Sequence, residues 1–156
     1  MLGGTIRLVD GVGDSTEQID NPYNIVTIEI GTGTQANPVT SIGNCAFNYL
    51  TRLTSVTIPN SVTSIEDEAF SYCEGLISLI IPNSVTSIGE YAFNYCSGLT
   101  SITIPDSVTS IGDSAFYECS GLTSVTITAN GGNAENVKQM MIDANVDSSI
   151  TWNMPS

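Results

Sequence analysis

"SVTSIGEYAFNYCSGLTSITIPD", residues 84–106, recurs almost letter for letter three more times in the chain. At a period of 23 the repeats run 38–60, 61–83, 84–106 and 107–130, the last being one residue longer. The positions they share read V-T-S-I-x-x-x-A-F-x-x-C-x-x-L-x-S-x-x-I-P. Self-similarity at a period of roughly 20 to 29 residues is the mark of a solenoid, in which each repeat is one coil.

Seven columns of the alignment are apolar. They are headed by Val39, Ile42, Ala46, Phe47, Leu53, Val56 and Ile58, and each recurs every 23 residues. One coil has no interior in which to hide seven such side chains. Stacked coils bury each column against its own copies above and below. The repetition is therefore read as the core itself.

Within a coil, "LTSVTI" ends in an alternation of apolar and polar residues rich in β-branched side chains, which predicts a strand with one buried face. Pro59, Pro82 and Pro105 follow it and are expected to end the ladder, because proline has no N–H to donate. "SVTSIG" predicts a second short extended piece. "AFNYCSG" then predicts about one helical turn, closed by Gly75, Gly98 or Gly121 in a left-handed cap position, with Arg52 standing in that slot in the first coil. The fold class expected is a solenoid, mainly β with short helical turns, forming a right-handed superhelix of four full coils.

The strand L-x-x-[VIL]-x-I-P joined to V-x-x-I-x-x-x-A-F-x-x-C resembles the BspA-type leucine-rich repeat, over residues 38 to about 128. The resemblance implies a surface protein of the adhesin or binding type, and it transfers no catalytic residue. The chain departs from the pattern at Leu50 in place of cysteine, Glu66 in place of glycine and Thr128 in place of proline.

An open solenoid exposes its core at both ends, so differently folded caps are expected. "TIRLV" (5–9) and "NIVTIEI" (24–30) read as strands, and residues 1–37 are taken as an N-terminal strand cap. After the last repeat the period changes. Val137, Met140, Met141 and Ala144 fall at i, i+3, i+4 and i+7 behind Asn133, a suitable N-cap, and this predicts a helix with one apolar stripe. "SSITWNMP" follows as a strand carrying Trp152, so residues 131–156 are taken as a helix-plus-strand cap on the four repeats at 38–130.

Sixteen acidic residues against Arg7, Arg52 and Lys138 give a net charge of −13. That disfavours nucleic acid, since almost no cations are present to replace the counterions of phosphates. An anionic membrane surface is disfavoured on the same ground. No run of apolar residues is long enough to span a bilayer. The opening "MLGGTIRLVD" lacks a basic stretch followed by an apolar run, and so does not read as a signal peptide.

Catalytic chemistry has little to work with. The chain has no histidine, which excludes Ser-His-Asp and Cys-His arrangements and His-ligated zinc. "GVGDS" and "GTGTQ" lack the G-K-[ST] ending of a phosphate cradle. Cys73, Cys96 and Cys119 recur at the repeat period and read as a column of buried free thiols, while Cys45 falls in a different, exposed column. The acidic groups Glu66, Asp67 and Glu68, and Asp10, Asp14, Glu17 and Asp20, lack the order of a calcium loop and read as solvated faces. No cofactor and no metal site is expected, and the chain is not expected to be an enzyme.

What remains is surface. The outward columns of the strand sheet contain Thr54, Ile77, Thr100 and Thr123, then Ser55, Ser78, Ser101 and Ser124, then Thr57, Ile80, Thr103 and Thr126. They offer a rigid hydroxyl-rich face with Ile77 and Ile80 as an apolar spot. Tyr49, Tyr72 and Tyr95 form a second candidate stripe, which ends at Glu118. The function expected is a non-catalytic recognition or adhesion module, extracellular or on a cell surface, binding protein or glycan through the Thr/Ser sheet. The alternative is a structural or decorative module of a virion or a secreted assembly.

Overall fold

The period of 23 is realised as one turn of a coil. The structure, a computed structural model, describes residues 4–8, 25–32, 38–128 and 132–154. On one flank stand β1 (Gly4–Leu8), β2 (Ile25–Ile30), β4 (Ser55–Thr57), β6 (Ser78–Ile80), β8 (Ser101–Pro105), β10 (Ser124–Thr128) and β11 (Thr151–Asn153). On another, β3 (Ser41–Ile42), β5 (Ser64–Ile65), β7 (Ser87–Ile88) and β9 (Ser110–Ile111) form a parallel ladder. The chain makes about five turns of solenoid with little helix.

Register follows from the repeat. Ser78 pairs with Ser101 and Ser101 with Ser124, so like lies against like through the stack. At the two ends the spacing changes but the columns continue: Ile28 lies opposite Val56, and Trp152 opposite Val125. β2 and β11 thus prolong the sheet beyond the four repeats.

The interior is the set of apolar columns. Phe70, Phe93 and Phe116 are fully buried, as are Leu53, Leu76 and Leu99. The phenylalanine rings stack in one line, with centroids 5.2, 5.4 and 5.5 Å apart from Phe47 to Phe116. Full burial of such a side chain contributes about 1.5–3 kcal/mol, which an isolated coil cannot obtain. The column thins at its start, where Phe47 and Val39 are half-buried and Ala46 is exposed.

The "AFNYC" segment is not one turn of helix. Two residues of each of the four repeats are left-handed, Cys45/Glu68/Tyr91/Ser114 and Tyr49/Tyr72/Tyr95/Glu118, with φ between 54° and 60°. Alternate amides therefore point at the next coil: Phe47 N–H donates to Ala69 O, Phe70 to Ala92 and Phe93 to Ala115, each at 2.8 Å. A non-glycine residue in this region costs about 1–2 kcal/mol. The inter-coil bonds offset that cost and hold the conformation.

The repeat glycines accordingly have another reason. A Cβ on Gly98 would lie 2.3 Å from the carbonyl oxygen of Glu74, and one on Gly121 would lie 2.4 Å from that of Ser97. Close approach of neighbouring coils, not a left-handed cap, requires glycine there. Pro59 and Pro82 lie beyond β4 and β6 as expected, but Pro105 is the last residue of β8.

Helix α1 (Ala134–Asp143) lies against the last coil with Val137 and Met141 fully buried. Asn133 is its N-cap residue, yet its side chain does not cap the helix. The Asn133 amide instead donates to the carbonyls of Asp106 and Val108, tying the helix start to the coil beneath. At the other end Phe116 N–H donates to Ala144 O at 3.1 Å, so the residue after α1 supplies the carbonyl that the next coil would have offered.

Candidate recognition surface

The strand flank from β4 to β10 carries no charged side chain. Its outward rows are Ser55, Ser78, Ser101, Ser124 and Thr57, Ile80, Thr103, Thr126, continued by Thr151 and Asn153 of β11 on one side and by Thr27 and Glu29 of β2 on the other. The row of Thr54, Thr100 and Thr123 serves the scaffold. Their hydroxyls donate to the carbonyls of Val26, Ile77 and Thr100 in the preceding coil, at 3.0–3.1 Å.

Ile77 breaks that row, since it has no hydroxyl to donate. Its own amide reaches Thr54 O at 3.4 Å, against 2.8–3.0 Å for the corresponding amides of Thr54, Thr100 and Thr123. β4 and β6 are neighbours, yet they fall in separate sheets, β1-β2-β4 and β6-β8-β10-β11. The turn side of the same two coils stays fully laddered, with Cys45, Phe47 and Tyr49 donating to Asp67, Ala69 and Ser71 at 2.8–2.9 Å. The solenoid is therefore parted on its strand side only.

A groove of about 560 Å³ lies at this parting and crosses the ends of the strands. Ser55, Thr57, Asn60, Ser78, Ile80 and Asn83 line it, and it reaches as far as Thr103 and Thr128. Ile80 is 70% exposed and Ile77 is 53% exposed beside it. The structure thus brings Thr57, Ile80 and Thr103 of the expected face to one groove. It adds Asn60 and Asn83, which strand alternation does not single out because they follow the prolines. The warning signal in the sequence is one isoleucine in a threonine column.

The tyrosine stripe forms a stack. Tyr49 and Tyr72 lie 4.6 Å apart and Tyr72 and Tyr95 lie 4.7 Å apart, with planes within 5° of parallel. The stack does not stop at Glu118: Tyr117, from the neighbouring column, closes it edge-on to Tyr95 at 5.8 Å. Partial desolvation, the flanking tyrosines and Glu68 push the Tyr72 phenol above its ordinary range.

The thiols of Cys73, Cys96 and Cys119 are free and donate to the carbonyls of Phe47, Phe70 and Phe93 at 3.1–3.3 Å. Burial pushes Cys73 and Cys119 up to about 12 and Cys96 well above its ordinary value, so none is a nucleophile at neutral pH. Cys45 is exposed. Among the described residues no group of three or more metal-ligating side chains comes together. Asp67 instead accepts the amide of Glu90, and Glu66 the hydroxyl of Ser64. The acidic group at Asp10, Asp14, Glu17 and Asp20 lies outside the described residues. No described helix is long and apolar enough to cross a membrane.

Compared with known proteins, residues 17–141 match the family model described as BspA type leucine rich repeat region (6 copies). No curated protein sequence matches the chain. Among solved structures, the chain is similar to the leucine rich repeat protein of T. pallidum at 31% identity and a TM-score of 0.61, over 66% of this chain and 46% of that one. It is similar in fold to a leucine-rich repeat protein from Bacteroides ovatus, at 24% identity and a TM-score of 0.68, over 85% of this chain and 31% of that one. A leucine rich cell surface protein from Faecalibacterium prausnitzii shares the fold at 24% identity and a TM-score of 0.65, over 96% of this chain and 36% of that one. The chain spans less than half the length of each of these proteins. With a family match over most of its length and a stacked 23-residue coil built on the family's own columns, the chain belongs to the BspA-type leucine-rich repeat family.

Proposed function

We propose that the chain is a non-catalytic recognition module that binds a protein partner through its strand face, outside the cell or at a cell surface. The observation that carries this reading is the exposed pair Ile77 and Ile80 beside a groove, in columns otherwise filled by threonine. Covering two such side chains contributes about 2–4 kcal/mol, and the hydroxyls and amides around them form the polar rim typical of a protein interface. A glycan has little aliphatic surface with which to cover two isoleucines, so protein is favoured over glycan. The location rests on similarity to a protein described as a cell surface protein. In this reading the repeats at 38–130 carry the face, and residues 1–37 and 131–156 close the ends of the coil.

The test is a protein array and a glycan array probed in parallel with the wild type and with Ile77→Ser/Ile80→Ser. The expected result is one or more protein ligands whose binding falls at least about tenfold in the variant, the equivalent of about 1.4 kcal/mol. Protein ligands that bind both forms equally, or ligands confined to the glycan array, would overturn the reading.

A further inference from the structure

Charge is segregated around the coil. Between residues 38 and 128 there are eight acidic residues. Asp106 is buried, and all seven others lie on the turn segments that carry the tyrosines. Asp67, Glu90 and Asp113 share one column, and their carbonyls accept the amides of Cys45, Glu68 and Tyr91 on the adjacent coils, which sets the acids one above another. All three side chains are exposed, as are Glu68, Glu74 and Glu118. Against them this stretch has a single cation, Arg52.

The tyrosine stack runs through this acidic face. Its inner rings cover one another, while Tyr49, at the end of the stack, is half exposed and has one stacked ring neighbour among the described residues. Tyr91, one column away, is 41% exposed and belongs to no described stack. Glu68 sits close enough to raise the Tyr72 phenol, so aromatic and acidic groups share one surface rather than two. The backbone that carries the rings is fixed, because Tyr49, Tyr72, Tyr91 and Tyr95 all occupy left-handed residues tied down by the inter-coil hydrogen bonds. A preordered aromatic surface is covered at low entropic cost.

We propose that this turn face is a second interaction surface, distinct from the strand face, and that its partner is an arginine-bearing, net-positive segment of another protein. Carboxylates in a column select a cation. Exposed tyrosine rings beside them select a flat one, since guanidinium stacks on a ring while pairing with carboxylate through two parallel N–H bonds. Ammonium does only part of this. An anionic partner would meet no cation in this stretch beyond Arg52.

The experiment is calorimetric titration of the full chain, at physiological ionic strength, with a short oligo-arginine peptide and with an oligo-lysine peptide of equal length. Purely diffuse attraction to a chain of this charge would bind the two alike. The turn face is expected to bind oligo-arginine about tenfold more tightly than oligo-lysine. Tyr49→Asn/Tyr91→Asn, which leaves the charge unchanged and places at both left-handed residues a side chain that tolerates them, is expected to abolish the preference. If that double variant does not fold, Tyr49→Asn alone, at the exposed end of the stack, is expected to lose most of it. Equal affinity for the two peptides, or a preference that survives the folded variants, would overturn the proposal.

Discussion

Phe70 and Phe93 lie with ring centroids 5.4 Å apart and planes 3° from parallel. Neighbouring strands are spaced by about 4.7–4.9 Å, so the rings are slipped sideways as well as stacked, the arrangement their quadrupoles prefer. Each ring is thus the floor of one coil and the roof of the next. Phe93→Ala removes both, and the chain is expected to lose about 3–5 kcal/mol, read as a lower urea midpoint with an unchanged slope. Phe47→Ala is expected to cost distinctly less, because Phe47 is half-buried and has one ring neighbour in the column. Equal losses at the two positions would contradict a core made by stacking.

The glycines supply a sharper contrast. Gly98→Ala forces a methyl against the backbone oxygen of Glu74, which no side-chain rotation can relieve, and should destabilise by about 1–3 kcal/mol. Gly43 heads a different column, that of Glu66, Gly89 and Gly112, and has nothing among the described residues within 4 Å of an added Cβ. Gly43→Ala is expected to be neutral or stabilising by up to about 1 kcal/mol, since it restricts the unfolded chain. Paired thermal melts of the two variants check this.

What was legible in the sequence was whatever repeats. The columns through Val62, Ile65, Phe70, Leu76, Leu79 and Ile81 are buried as periodicity requires, and the strands follow their alternation. The turn was not legible, because its left-handed positions hold tyrosine, glutamate, cysteine and serine rather than glycine or asparagine. Inter-coil hydrogen bonds override the local preference there, and no residue type announces them. Asn133 was placed at the right position with the wrong bond, since its target carbonyls come from a segment about 25 residues earlier. The face around Ile77 and Ile80 was visible as composition; the groove was not, because it arises from a ladder that fails between two strands.

The thiol column predicts a pH dependence. Cys73, Cys96 and Cys119 have folded-state values raised from 9.0, to about 12 for Cys73 and Cys119, so the folded chain holds these protons more tightly than the unfolded one. Their contribution is whole below about pH 9 and is lost as pH rises toward about 12, at about 1.4 kcal/mol per pH unit for each thiol. Urea midpoints measured between about pH 8 and 11 should fall more steeply for the wild type than for the variant with all three cysteines changed to alanine. At neutral pH a maleimide is expected to label Cys45 alone in the folded chain and all four cysteines in denaturant. Labelling of a second cysteine without denaturant would mean that the column is open.

Ile77→Thr tests the origin of the parting between β4 and β6. Thr100 and Thr123 each send a hydroxyl to the carbonyl of the residue 23 positions earlier, at 3.1 Å, and a threonine at 77 would meet Thr54 O in the same way. One added hydrogen bond is worth about 0.5–1.5 kcal/mol, while the apolar contact surrendered is small because Ile77 is 53% exposed. The variant is therefore expected to be slightly more stable, with slower amide exchange at Ser55–Thr57 and Ser78–Ile80. It should also bind the strand-face partner more weakly, since half of the apolar pair is gone. Stability and recognition would then move in opposite directions from one substitution. Exchange unchanged from wild type would mean that the missing hydroxyl is not what parts the sheet, and that the cause lies in the turn at Asn60 and Asn83.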